Sequence, residues 1–317
     1  MGETKRGGPI FIVGCPRSGT TLLQFMLRAH PRISLPTGES HFFIPMYRNR
    51  HAYGNLDNVA SIENLLTEIY TRSTGFFDED MPGITFDATA LANEFRERGI
   101  NSVEGIIAAV FEKNALGEGK VRWGDKTPYY ALHLPTILEM FPDAQVIHLI
   151  RDGRGVAWSL MDRRHDFRVY NAYIAAKYWQ QYVEAARNSG CKLGRQIYLE
   201  IRYEDLLEAP DKQLQKICEF LGEAYSPALL EYEKPSETTH TLLHKPVQKD
   251  NIDKWRRLMT KSQIKIFEAG AGDTLTSFGY ELVTSGKPLP KPIRALFRLH
   301  NLVASWWYRH RKSWQSK

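Results

Sequence analysis

The chain has 317 residues, 43% hydrophobic and 25% charged, with a formal net charge of +6. That is ordinary for a globular protein of one large or two small domains, and no apolar run approaches the roughly 18 residues needed to span a bilayer. The positive charge does not point to nucleic acid: eight basic residues and no acidic one follow Glu281, so the rest of the chain is nearly neutral.

Met1 to Pro9 is polar and lacks the apolar core of a signal peptide, and Arg6 stands where a myristoylation signal wants Ser or Thr. The expected location is therefore the cytoplasm. Pro9 to Val13 is a short β-rich run ending at Gly14, which predicts a buried strand. Residues 20 to 29 predict a helix that stops before Pro31. Helices are expected over 59 to 72 and 102 to 114, with a loop near 73 to 83. A helix over Leu134 to Met140 leads to a second buried strand at Ala144 to Ile150, and a helix over Gly155 to Asp162 follows. A longer helix over 171 to 188, a third strand at Ile197 to Ile201 and a helix from Lys212 to Leu221 complete the alternation. Such alternation predicts an α/β fold with a mostly parallel central sheet flanked by helices. Residues 235 to 255 show no clean period and read as a loop able to fold over a ligand. Cys15, Cys191 and Cys218 lack metal or disulfide spacing and read as packing residues.

Gly14-Cys15-Pro16-Arg17-Ser18-Gly19-Thr20-Thr21 lies between the first strand and the first helix. Consecutive backbone amides at such a helix start can cradle an anion. Gly19 allows close approach, and Thr20 and Thr21 add hydroxyl donors. A nucleotide triphosphatase loop would carry Lys where Thr20 stands, so a triphosphate with its magnesium fits poorly. A smaller anion held by amides and Arg17 fits better, although an ordinary glycine turn has the same spacing. A second anion site is suggested after the second strand, where Arg151, Ser159 and Arg163 follow a strand end. Ser159 and Arg163 are four apart and share a helix face, and Arg plus hydroxyl plus Arg suits a phosphate monoester. Surface arginines in salt bridges would give the same residue types.

Together, Pro16 to Leu23 (PRSGTTLL) and Arg151 to Ser159 (RDGRGVAWS) resemble the PAPS-dependent sulfotransferases, above all the tyrosylprotein sulfotransferase branch and its bacterial relatives. The resemblance runs from about residue 10 to about residue 260. It implies a P-loop-like nucleotide-binding fold and the donor 3′-phosphoadenosine 5′-phosphosulfate (PAPS), with adenosine 3′,5′-bisphosphate as product. By that resemblance Arg17, Ser18, Gly19, Thr20 and Thr21 hold the 5′-phosphosulfate, and Arg151, Ser159 and Arg163 hold the 3′-phosphate. Tyr203, Lys245 in the Thr239 to Gln248 loop, and Lys254 match further cofactor contacts. Glu39 resembles the catalytic base and would carry a raised pKa beside a bound anion; His41 is the alternative base. Lys126 resembles the cation on the leaving oxygen, assisted by Thr239, which stands for a family Ser. A loop lysine paired with Asp125 is the plainer reading of Lys126. His133, His148 and Tyr129 either line an acceptor pocket or pack, and packing is the simpler expectation.

The family's chemistry is an in-line sulfuryl transfer to a hydroxyl without a metal, on an acceptor the sequence leaves open among peptidyl tyrosine, carbohydrate, lipid and small molecule. A nucleotide-dependent kinase and a non-catalytic PAPS-binding protein are the alternatives. Thr20 speaks against the first, and Glu39 with Lys126 against the second. The tyrosylprotein enzymes carry a membrane anchor and a cystine near the site; no anchor precedes residue 10, and Pro36 and Gly124 stand near the expected cysteines. That weakens any transfer of peptide specificity. The expected organisation is a sulfotransferase domain over 1 to 284 and a basic tail over 285 to 317. In the tail Ile293, Leu296, Phe297, Val303, Trp306 and Trp307 fall at roughly helical spacing with arginines between. Such a helix either lies on an anionic membrane or docks on its own core or a partner subunit.

Overall fold

The computed structural model describes residues 7–232 and 251–315. Its strands are β1 (Ile10–Gly14), β2 (Ile33–Ser34), β3 (Arg122–Lys126), β4 (Gln145–Ile150) and β5 (Tyr198–Arg202). Through the first half run α1 (Thr20–Arg28), α2 (Phe43–Arg48), α3 (Val59–Arg72), α4 (Ala88–Glu97), α5 (Val103–Gly117) and α6 (Leu134–Met140). The second half holds α7 (Gly153–Asp162), α8 (Arg164–Phe167), α9 (Ala172–Gly190), α10 (Tyr203–Glu208), α11 (Pro210–Leu221), α12 (Lys254–Leu258), α13 (Lys261–Ser277) and α14 (Lys291–Gln315).

The strands form one sheet in the order β2-β3-β1-β4-β5, every neighbour pair parallel. This is the α/β fold the alternation predicts. β1 is buried throughout, as the central strand of a parallel sheet covered on both faces must be. Its side chains alternate between two cores. Phe11 and Val13 join the larger cluster, where the Phe11 ring meets Phe43, Trp123 and Phe141. Ile10 and Ile12 join the other cluster with Leu23, Leu27 and Leu206. The chain passes from β1 to the β3 side and only later crosses to β4. The strand order therefore reverses at β1, and a crevice for ligands opens past its carboxyl end. Register places Ile12 beside Lys126 and Gly14 beside Leu149, so the ends of β3, β1 and β4 share one rim.

β3 departs from the sequence reading, which treats its residues as loop. Arg-Trp-Gly-Asp-Lys carries three charges in five residues, yet every one is buried. Arg122 satisfies its guanidinium internally: Nε donates to the Gly8 carbonyl at 2.8 Å and Nη1 to the Leu221 carbonyl at 2.7 Å. Gly124 is required for the strand to lie flat, because a Cβ there would stand 2.5 Å from the Ile10 carbonyl oxygen. The α7 helix begins at Gly153, two residues early, because the Asp152 carboxylate accepts from the Arg154 amide at 2.9 Å and caps it. Of the stretch read as loop from 235 to 255, residues 235 to 250 lie outside the described residues, and its last two belong to α12. α13 escaped the pattern because its backbone kinks at Ala271 between two glycines, although the Thr260–Gln263 capping box marks its start.

Candidate active site

The loop from Cys15 to Gly19 leaves β1 and delivers the chain into α1. Ser18 N–H closes it on the Cys15 carbonyl at 3.1 Å. α1 has no side-chain cap, so its first amides face the rim without an intrahelical acceptor. Gly19 holds a left-handed φ of 92°, and a Cβ there would stand 2.4 Å from the Tyr203 ring; only glycine meets both demands. Arg17 is also left-handed, at φ 73°, a conformation non-glycine residues hold only where the surroundings impose it. The Ser18 hydroxyl is fully buried and meets no hydrogen-bond partner among the described residues.

The arginines converge on this loop from β4 and α7. Arg17 Nε donates to Ser159 Oγ at 2.9 Å, so Arg17 joins the two anion stretches instead of serving the first alone. Arg151 Nη1 donates to the Arg17 carbonyl at 3.1 Å and Nη2 to the Asn251 carbonyl at 3.0 Å. Its guanidinium stacks 4.6 Å over the Tyr203 ring, whose edge covers Gly19. Burial first, then the charges of Arg163 and Arg151, lower the Arg17 pKa. Arg163 also pairs with Asp166 at 3.9 Å. Lys254, first residue of α12, lies 4.9 Å over the Trp158 ring, next to Ser159. Three guanidiniums, uncapped amides and a buried hydroxyl without a partner among the described residues concentrate positive charge and hydrogen-bond donors at this rim.

The second arginine of Arg151-Asp152-Gly153-Arg154 has a different fate. Arg154 turns into the core, where it pairs with Asp152 and Glu268, each at 2.7 Å, and stacks 4.0 Å over Trp255. Glu204 accepts from the Asp152 amide at 2.9 Å and from the Tyr280 hydroxyl at 2.9 Å. This network fixes the start of α7, the helix that carries Ser159.

Glu39 and Lys126 meet on the other side of the loop. Lys126 Nζ lies 2.7 Å from Glu39 Oε1, and His41 Nε2 lies 3.0 Å from Oε2. The Glu39 loop is anchored on both flanks. Thr37 Oγ1 donates to Asp80 at 2.6 Å, Ser40 N–H donates to Thr127 Oγ1 at 3.0 Å, and Ser40 Oγ lies 2.8 Å from the Tyr130 hydroxyl. Burial raises the Glu39 pKa, but the His41 hydrogen bond and the Lys126 charge outweigh it and bring the carboxyl to about 2. Here the His41 hydrogen bond and the Lys126 charge win over desolvation; the raised pKa expected of Glu39 belongs to the site with its anion bound. The alternative pairing of Lys126 with Asp125 is corrected. Asp125 is fully buried behind the pair, and burial pushes its carboxyl up to about 6, only partly offset by Thr127, Ser40 and Lys126.

Aromatic side chains border Glu39. His41 lies 6.2 Å from Tyr129, and Tyr129 lies 4.6 Å from His133, whose Nδ1 is 3.3 Å from Arg48. Tyr178 donates to Tyr182 at 3.3 Å across one turn of α9; burial first, with Glu39 among the smaller causes, raises both hydroxyls. The sequence reading missed these two tyrosines, although their spacing of four on one helix face was the available signal. His148 lies fully buried in β4 with Nδ1 2.6 Å from the Tyr198 hydroxyl. The structure thus gathers Arg17, Ser18, Gly19, Thr20, Thr21, Arg151, Ser159, Arg163, Tyr203 and Lys254 around one rim, with Glu39 and Lys126 beside it. Thr239 and Lys245 lie outside the described residues.

The chain is similar to known proteins in sequence and in fold. The chain is 27% identical over 225 residues to a putative protein-tyrosine sulfotransferase of Caenorhabditis briggsae, covering 70% of this chain and 68% of that one. It is 26% identical over 263 residues to protein-tyrosine sulfotransferase 2 of Gallus gallus, covering 78% and 62%. The chain thus spans about two thirds of the length of these relatives. The solved sulfotransferase domain of the Synechococcus PCC 7002 olefin synthase superposes with a TM-score of 0.59 at 26% identity, covering 89% of this chain and 98% of that one. The model described as "Sulfotransferase family" matches residues 9–227, so the chain belongs to the sulfotransferase family.

Proposed function

We propose that the protein transfers a sulfuryl group from PAPS to a hydroxyl of its acceptor, with Glu39 as base and Lys126 as the cation on the leaving oxygen. The Glu39–Lys126 contact of 2.7 Å at the rim shared by β1 and β3 carries this reading, because it sets a proton acceptor and a fixed cation beside one anion loop. The α1 amides with Ser18 and Thr20 would hold the 5′ end of the donor. Arg151, Ser159, Arg163 and Lys254 would hold its 3′-phosphate, and Arg17 would bridge the two.

In the reaction the acceptor oxygen attacks sulfur in line and its proton passes to Glu39. The bond from sulfur to the bridging oxygen breaks, and adenosine 3′,5′-bisphosphate leaves with the electron pair while Lys126 stabilises the new charge. A carboxyl held at about 2 is a weak base while Lys126 and His41 hold it. With the donor bound, Lys126 would be shared with the bridging oxygen, which would remove one of the lowering influences on Glu39 and raise its basicity. The aromatic border of Tyr129, His133, Tyr178 and Tyr182 suits a hydroxyl carried on an apolar or planar body.

Two measurements on Glu39→Ala test the reading. Calorimetry should show unchanged affinity for adenosine 3′,5′-bisphosphate, while transfer of radiolabelled sulfate from PAPS to lysate fractions should vanish. Full turnover by the variant would remove Glu39 as base and move that role to His41; no affinity in folded wild-type protein would remove the donor.

A further inference from the structure

A surface helix normally turns its apolar stripe toward the body of the protein and its charges toward water. α14 turns an apolar stripe outward as well as its charges. It rests on the α8–α9 region through Phe297, Asn301, Ser305 and Tyr308, which recur at helical spacing on one side. Asn171 Nδ2 donates to the Phe297 carbonyl at 2.9 Å, and the Tyr170 amide donates to Asn301 Oδ1 at 2.8 Å. Phe297 stacks 5.9 Å from Tyr173, Tyr308 stacks 3.7 Å from His165, and Ser305 is buried. The opposite side presents Leu296, Leu299, Val303 and Trp306, spaced three and four residues apart, each more than half exposed, with Leu302 at its edge 66% exposed. A contiguous apolar face of this kind on the outside of a helix marks an interaction surface.

We propose that this face docks on an anionic lipid bilayer. Leu and Trp on one side suit the interfacial zone of a membrane. Lys291, Arg294, Arg298 and Arg309 belong to the same helix, and no acidic residue follows Glu281, so the charges beside the apolar row are all positive. Such a helix is complementary to negative headgroups. A second copy of the chain fits less well: a two-fold pairing of α14 would set two basic rows side by side with no carboxylate on either helix to neutralise them. The docked helix would hold α8 and the neighbouring Arg163 at a fixed distance from the lipid. This inference stands on α14 alone and does not depend on the donor or the acceptor.

The test uses the full chain in vesicle flotation. Vesicles of phosphatidylcholine with phosphatidylglycerol should carry the protein, phosphatidylcholine alone should not, and added salt should release it. The double variant Leu299→Glu with Val303→Glu should lower binding about tenfold or more, since two aliphatic side chains that would enter the bilayer are replaced by hydrated negative charges. Leu116→Glu alters a residue 55% exposed on α5 and should leave binding unchanged. Thermal melts confirm folding in every variant. No flotation of folded protein at low salt overturns the inference. So does a concentration-dependent dimer that the double variant dissolves and vesicles fail to compete away, which would assign the face to a second copy.

Discussion

The Lys126 ammonium at the end of β3 lies 2.7 Å from the Glu39 carboxylate in the loop after β2, although 87 residues separate them in the chain. β3 inserts between β2 and β1, and that insertion brings the two groups to one rim. There the carboxylate and the ammonium neutralise each other.

If His41 and Lys126 hold the Glu39 carboxyl near 2, removing one must release it. His41→Ala should move the Glu39 titration upward toward the ordinary carboxylate value, and Lys126→Met should do the same. Carbon NMR of the labelled carboxyl reads the shift. The acid limb of kcat/KM in His41→Ala should move to higher pH with it, because that profile reports the free enzyme. An unchanged titration in both variants would break the assignment of cause.

Among the described residues Arg151 makes two hydrogen bonds to backbone carbonyls and one ring stack, none of which satisfies its charge. Arg151→Ala should weaken adenosine 3′,5′-bisphosphate by about tenfold to a hundredfold, in line with about 1.5–3 kcal/mol for a charged hydrogen bond. The melting temperature should change little, because carbonyls on the rim can bind water instead. A large loss of stability with full affinity would make Arg151 a structural residue.

The family resemblance singles out Arg151, but residue spacing by itself does not separate it from Arg154. Both sit in one short motif after a strand, and spacing alone does not say which guanidinium meets the rim and which meets buried Glu268. Period and turn chemistry did place the elements whose local pattern agrees with their burial: β1, β4, α1, α3 and α9 stand where they were expected. β3 stayed hidden because its pattern is polar while its partners, the Gly8 and Leu221 carbonyls and Glu39, are remote in the chain. The direction of the Glu39 pKa was unreadable for a related reason. Burial acts against the His41 hydrogen bond and the Lys126 charge, and only geometry says which is larger. Glu268 itself arrives from α13, a helix whose kink erased its period.

That burial makes Glu268 a sharp test of the scaffold. Glu268→Ala would leave Arg154 charged and partly unpaired in the core, which costs about 3–5 kcal/mol when one member of a buried pair is lost. Urea unfolding should report that loss. Donor-product affinity should fall with it, since Arg154 and Asp152 together fix the start of the helix bearing Ser159. A stability change under 1 kcal/mol, on the order expected of an exposed pair, would show that the network is solvated.

Asp125 gives the pH dependence of stability a sign. Its folded carboxyl is raised to about 6 from an ordinary 3.8, because burial disfavours the charged form. Below the ordinary value both states hold the proton and nothing is lost. As pH rises from there to about 6, the unfolded chain releases its proton while the folded chain keeps it, so stability falls; above that the loss is constant. The drop amounts to about 3 kcal/mol for a shift of this size. Glu39 works in a lower window: with its pKa depressed to about 2, its contribution is complete above the ordinary 4.5 and is lost only as pH falls below that. Urea unfolding across the interval should therefore show a declining limb in the wild type that Asp125→Asn flattens, since the amide cannot ionise in either state. A variant with the same slope as the wild type would place the titration on another group.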